Sequence, residues 1–248
     1  MNKPLLSTCI ITQNNATSLE RAIASVAHFS DEIVVVDGGS TDGTETVVRS
    51  HPQCRYFRRP FDGNFAEQKN FAFDQASGNW IFELDDDEVV CDGFRQNIRD
   101  RLERSSEMGF AIRRWWLCSL DPLQYVSTEL FETTWIPRLF RNLPELRYVF
   151  PKTGANSGVI HHEFEDRLQR FFTRMDHWRI LHFHYLLHDR AQREARFTWF
   201  NRVDPRCSDM NARCYLYENY HHHVLPCPAR YRTVTPLIAA SKPQPLVV

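Results

Sequence analysis

The sequence predicts an α/β fold: a mostly parallel sheet flanked by helices, with a helical C-terminal extension. Three observations carry this expectation. Short apolar runs of strand length alternate with stretches of helical periodicity through the first hundred residues. Two of those runs, ending at Val36 and Leu84, lead directly into acidic loops. The 248 residues are 42% hydrophobic and 25% charged, enough to bury a core without a disulfide or metal to staple it.

The elements follow in order. Leu6 to Thr12 is a short apolar run and reads as a buried strand. Thr17, Ser18, Leu19 and Glu20 have the pattern of a capping box, and Leu19, Ile23, Val26 and Ala27 behind it keep helical spacing. Ile33 to Val36 is wholly β-branched, as in a central parallel strand, and stops at Asp37-Gly38-Gly39-Ser40. Thr44 to Ser50 predicts a short helix and Arg55 to Phe57 a short strand. Ala66 to Ala76 reads as a helix ended by Gly78. Trp80 to Leu84 is again a strand, running into Asp85-Asp86-Asp87-Glu88, and Gly93 to Glu103 closes this half as a helix. Beyond it, Phe110 to Leu117 reads as a strand and residues 118–160 as loops with short strands. Phe164, Leu168, Phe171, Phe172 and Met175 fit one helix face, and Asp189 to Phe200 fits another helix. The Pro-rich stretch from Pro226 onward reads as an irregular tail.

Charge is divided unevenly. Residues 1–100 hold 9 Lys and Arg against 16 Asp and Glu, a balance of −7, and residues 101–248 hold 21 against 15, a balance of +6. The basic half is nearly all arginine, whose forked guanidinium suits phosphates; solvated helix faces explain it equally. The arginines are dispersed and form no coherent patch, so nucleic acid is not an expected partner. No apolar run approaches the roughly 18 to 20 residues of a membrane span, and the N-terminal segment lacks a leader pattern. The expected location is therefore the cytoplasm. The seven cysteines are scattered and never spaced as CxxC, which favours buried free thiols over a disulfide or zinc framework.

Chemistry is concentrated at two strand ends, where ligands of an open α/β sheet bind. Four acids at Asp85 to Glu88 repel one another, and a divalent cation offsets that repulsion; hard oxygen ligands suit Mg2+ or Mn2+. Asp37 to Thr44 forms a glycine-rich acidic loop between strand and helix. It is neither GxGxxG nor a P-loop, and a carboxylate there is better suited to accept hydrogen bonds from a base or ribose than to cradle phosphate.

Three segments, CIITQNNATSLERAIASV, DEIVVVDGGSTDGT and NFAEQKNFAFDQASGNWIFELDDDE, resemble in order and spacing the inverting glycosyltransferases of family 2. The likeness covers roughly residues 6–90 and extends to the lipopolysaccharide core β-glucosyltransferases through His162-Glu163 and His182-Phe183-His184-Tyr185. It implies the GT-A nucleotide-diphospho-sugar transferase fold. Residues 1–105 would be the donor-binding half, residues 106–225 the acceptor-binding half with its helical extension, and residues 226–248 a tail.

The resemblance implies roles for single residues. Thr12 and Asn14 would touch the nucleotide base, Asp37 would accept from the base N–H groups, and Asp42 would lie near the nucleotide. Gln13 departs from the basic or aromatic residue more usual beside them. Lys69 and Asn70 match a pair on the helix facing the donor. Asp85 and Asp87 match the outer positions of a DxD motif, the first near ribose and metal, the second on the metal; Asp86 replaces the usual small middle residue. His162 and His182 would add imidazole ligands from the second half. Glu163 would be the general base, with Glu165 and Asp166 beside it, because an acceptor hydroxyl must lose its proton as it attacks the anomeric carbon. The implied activity is inverting, metal-dependent transfer of a hexose from a nucleotide-diphosphate sugar, a UDP-sugar foremost, to a saccharide or lipid-linked acceptor in lipopolysaccharide or cell-envelope polysaccharide synthesis. A lipid-linked acceptor would bring peripheral contact with the cytoplasmic face of the inner membrane. Arg113-Arg114-Trp115-Trp116 could cover a sugar or lipid surface, or pack in the core.

Two other classes stand beside this one. A noncatalytic nucleotide-sugar-binding relative would keep the pocket and lack the base; turnover separates the two. A nucleotidyltransferase needs a glycine-rich, basic loop after the first strand, and Gln13-Asn14-Asn15-Ala16-Thr17 has neither feature. The spacing of His182, His184 and His188, and the run His221-His222-His223, also admit a zinc reading.

Overall fold

The computed structural model describes residues 3–149, 164, 168, 170–203, 205 and 208–231. Four parallel strands form its first half: β1 (Leu6–Thr12), β2 (Glu32–Asp37), β3 (Cys54–Arg58) and β4 (Trp80–Glu83), in the order β3-β2-β1-β4. Alternation divides their side chains between two cores. Leu6, Ile10, Ile33 and Val35 meet α1 (Ala16–Val26), α2 (Thr44–Ser50) and α4 (Asp92–Glu103) on one face. Cys9, Val34, Val36 and Ile81 meet α3 (Phe65–Gln75) on the other.

The second half completes a ten-stranded sheet with mixed pairing, so parallel pairing is concentrated in the first half. Strand β8 (Ile136–Arg141) runs antiparallel to β4, and β6 (Gly109–Leu120) antiparallel to both β8 and β7 (Leu123–Ser127). Strand β9 (Phe172–His182) lies between β5 (Glu88–Val90) and β6, antiparallel to the first and parallel to the second. A short helix α5 (Glu129–Thr133) precedes β8. Helices α6 (His184–Leu187), α7 (Arg190–Val203) and α8 (Ser208–Tyr215) form the helical extension.

Three local expectations are corrected. Phe172 and Met175 belong to a strand and not to a helix with Phe164: the Phe172 ring stacks on Phe164 at 5.3 Å and lies over Gly109, which has no Cβ to obstruct it. Phe171, in the turn before the strand, is exposed. Thr17 does not cap α1. The helix begins at Ala16, whose N–H donates to Asp42 Oδ2 at 3.1 Å, so the cap comes from the neighbouring loop. The tail from Pro226 is not wholly irregular. Pro226 ends an edge strand, β10 (His223–Pro226), antiparallel to β7. Tyr231 is then buried between Trp115, at 4.9 Å, and the Arg179 guanidinium, at 4.7 Å.

Candidate active site

The parallel register brings the strand ends together. Thr12 is paired with Asp37, and Leu84 N–H donates to Cys9 O, which sets the Asp85–Asp87 turn beside the end of β1. The Thr12 hydroxyl donates to Asp86 Oδ2 at 2.7 Å. Burial, then the charge of Asp87, raises the Asp86 pKa to about 7.

The loops that follow β1 and β2 are stitched to each other. Asn14, in the left-handed region at φ 52°, accepts from Thr41 N–H at 2.8 Å, and its own N–H donates to Ser40 Oγ. Asp42 accepts from Ala16 N–H and from Thr44 N–H, and so serves the start of both α1 and α2. Asp37 is 1% exposed and accepts from Gly39 N–H, Ser40 N–H, the Ser40 hydroxyl and the Tyr56 hydroxyl. Burial opposes its charge, but these donors outweigh it and hold the carboxyl below its usual range. Gly39, at φ +108°, makes the turn that aims two backbone N–H groups at Asp37. A carboxylate has about four acceptor sites, so Asp37 organises the loop and has little capacity left for a base.

Beneath the acidic turn lies a buried ionic network. Lys69 Nζ donates to Glu83 and, at 2.8 Å, to Asp85 Oδ1. Arg138 donates to Glu83 at 2.6 Å, to Asp85 Oδ2 at 2.8 Å and to Glu88 at 3.2 Å. Arg114 reaches Glu88 at 3.2 Å, and the Tyr148 hydroxyl donates to Glu83. Burial opposes the charges of Asp85, Lys69, Arg138 and Arg114, but their partners prevail. Arg138 and Lys69 hold Asp85 well below the usual carboxylate range, while Asp85 and Glu83 raise Lys69. Both oxygens of Asp85 therefore face cations, Oδ1 Lys69 and Oδ2 Arg138. Asn70 exchanges hydrogen bonds with the backbone of Tyr148, both 2.8 Å, and pins that segment.

Asp87 faces the opposite way. His182 ends β9, paired with Glu88 on one side and Trp116 on the other, and Phe183 N–H donates to Asp87 O. His182 Nε2 lies 3.1 Å and His184 Nδ1 4.0 Å from Asp87 Oδ2. Burial raises the Asp87 pKa, but His182 overrides it and brings it to about 2. Burial, then Arg196 and His188, keep His184 well below the usual imidazole range. The three ligand atoms lie within 4.8 Å of one another. That is somewhat wider than the ~3–3.5 Å between ligands each about 2.1 Å from one ion. An ionised carboxylate and a neutral imidazole are the protonation states that metal binding needs.

The expected pair Asp87 and His182 is thus brought together. His184 is added, although the sequence set it apart only by its spacing from His182. His162 and Glu163, with Glu165 and Asp166, lie outside the described residues. Glu83 and Arg138 escaped sequence reasoning; the signal for Glu83 was a lone charge in an otherwise apolar strand, while β8 carries two arginines and singles out neither. Trp115 and Trp116 are both buried, one stacked on Tyr125 and the other on Phe131, so neither offers a face to sugar or lipid.

The family model for Glycosyl transferase family 2 matches residues 7–184, more than half of the chain. The chain belongs to glycosyl transferase family 2. Its GT-A-type fold agrees with the crystal structure of S. aureus TarS residues 1–349, which superposes with a TM-score of 0.52 at 12% identity over 85% of this chain and 69% of that one, a likeness of fold alone. Among its relatives, the lipopolysaccharide core biosynthesis glycosyltransferase LpsC of Rhizobium meliloti is 37% identical over 114 residues, 44% of this chain and 42% of that one. The GalNAc(5)-diNAcBac-PP-undecaprenol beta-1,3-glucosyltransferase of Campylobacter jejuni is 36% identical over 101 residues, 36% of this chain and 32% of that one. A TPR repeat-containing protein of Synechococcus elongatus is 26% identical over 176 residues, 71% of this chain and 39% of that one. The chain thus spans about two fifths or less of these relatives' length. Among the described residues, no helix is long and apolar enough to cross a membrane.

Proposed function

We propose that this chain transfers a hexose, with inversion, from a nucleotide-diphosphate sugar to a hydroxyl of a saccharide or lipid-linked acceptor. The observation that carries the reading is the Asp87–His182–His184 cluster at the strand ends of a family 2 fold. Asp87, His182 and His184 would hold one divalent ion. The mixed imidazole and carboxylate set leans toward Mn2+ over Mg2+. The ion would neutralise charge developing on the leaving diphosphate. Asp85, neutralised by Lys69 and Arg138, stands beside the ion site as a fixed acceptor for the donor's ribose. Thr12, Asn14, Asp37 and Asp42 shape the two loops against which the base lies, and Lys69 and Asn70 hold the floor. Glu163 is the proposed general base.

A UDP-sugar donor follows from the family resemblance. A cell-envelope acceptor, with work at the cytoplasmic face of the inner membrane, is supported by the names of the Rhizobium and Campylobacter relatives. Residues 1–105 would serve the donor and residues 106–225 the acceptor, while the second half also lends the site Arg138 and His182.

The test is a thermal-shift screen of UDP, GDP, dTDP and CMP, each with Mn2+ and with chelator. A ligand at 100 times its Kd adds about 2.7 kcal/mol, readily seen as a shift. A Mn2+-dependent shift with one nucleoside diphosphate is expected. No shift with any nucleotide would overturn the donor reading.

A further inference from the structure

A family 2 site that releases a diphosphate needs positive charge at the phosphates, and the described cations beneath the acidic turn are already matched by carboxylates. On α7, Arg190 pairs with Glu194 and Arg193 with Glu218. Among the described residues Arg196 makes no ion pair and no hydrogen bond; its guanidinium lies 5.8 Å from the Phe200 ring centroid, and the residue is half-buried.

The position of α7 makes this cation relevant. Phe61, packed against Gly38 of the loop after β2, touches Phe65 at 4.7 Å, and Phe65 touches Trp199 and Phe200, both at 6.5 Å. Phe200 stacks on Tyr215 at 5.2 Å, and Tyr215 meets His184 at 5.1 Å. The helix therefore bridges from the loop after β2 to the Asp87–His182–His184 cluster. Arg196, one turn before Phe200, shares its face. Its charge is felt at Asp87, His184, His188 and Tyr215.

We propose that Arg196 binds the β-phosphate of the nucleotide-diphosphate donor and is a catalytic residue for its departure. The inference rests on the donor reading above. In the transfer, the acceptor oxygen bonds to the anomeric carbon and gives its proton to the general base. The bond from that carbon to the phosphate oxygen breaks, and its electron pair passes to the β-phosphate. The Arg196 guanidinium meets the oxygens that gain this charge, where an arginine fork is well matched.

The experiment titrates the full chain, in Mn2+, with UDP, GDP and dTDP and with the corresponding monophosphates, for wild type, R196Q and R196M. For the diphosphate that wild type binds, both variants should bind about 10- to 100-fold more weakly, the worth of a lost charge-assisted hydrogen bond. Their monophosphate affinity should stay within about threefold and their melting temperature unchanged, because among the described residues Arg196 has no ion pair to lose. R196M keeps the stem over Phe200 and serves if R196Q does not fold. Diphosphate binding equal to wild type, or an equal loss for monophosphate and diphosphate, would overturn the role of Arg196 and leave the donor reading standing. Failure of wild type to bind any diphosphate would overturn both.

Discussion

At the residue scale, the acidic turn divides its labour by what lies opposite each carboxylate. Asp85 faces Lys69 and Arg138; Asp87 faces two histidines. Asp87→Ala should therefore abolish Mn2+-dependent donor binding and keep the fold, read by titration and circular dichroism. Lys69→Met should do the reverse in emphasis. It leaves the buried Glu83 and the half-buried Asp85 short of a cation and should cost about 3–5 kcal/mol in urea unfolding. Glu163→Gln should keep donor binding and slow transfer by about 10²-fold or more in a turnover assay.

At the element scale, the strands are anchored by composition and the loops by polar stitching. Val34 to Val36 and Ile81 to Phe82 are buried on both faces, so their apolar runs were legible as central strands. The loops depend on partners 26 and 27 residues away: Asp42 with Ala16, and Asn14 with Thr41. Asp42→Ala should release donors at the starts of both α1 and α2 and cost about 1–2 kcal/mol by denaturant midpoint, the scale of a lost helix cap. The same long reach explains the mistaken capping box. Sequence spacing shows only near neighbours, and the group that serves α1 comes from the next loop. The misread helix around Phe172 has a similar cause. Its aromatic spacing fits 3.6 residues, but the gap between β5 and β6 needed a strand.

At the scale of the whole molecule, buried carboxylates couple stability to pH. Glu32 is buried and accepts from Ser7, Ser77 and Arg55, and Asp37 is held by its loop. Burial opposes the charge on each, but the hydrogen bonds win and both carboxyls titrate below their ordinary range. Their unfolded values are about 4. A lowered folded pKa gives stability that is complete above the unfolded value and is lost as pH falls through the folded one. The contribution of these two carboxyls to unfolding free energy should thus hold from neutral pH to about pH 4 and decline below it. Glu32→Gln should lower the neutral plateau and flatten the acid slope, measured by urea titration across pH 2–7.

The sequence by itself determined the parallel half-sheet, the places where its strands stop, and the acidic cluster Asp85 to Glu88 at one of those ends, because burial on both faces and acids at strand ends are local signals. The tertiary structure decided which acid does what. Asp85 and Asp87 are two residues apart and chemically identical. Only the arrival of Arg138 on β8 and of His182 and His184 at the end of β9, from 53 to 97 residues away, neutralises one and couples the other to imidazoles. Such pairings are set by strand register between distant segments, and spacing along the chain does not encode them in readable form.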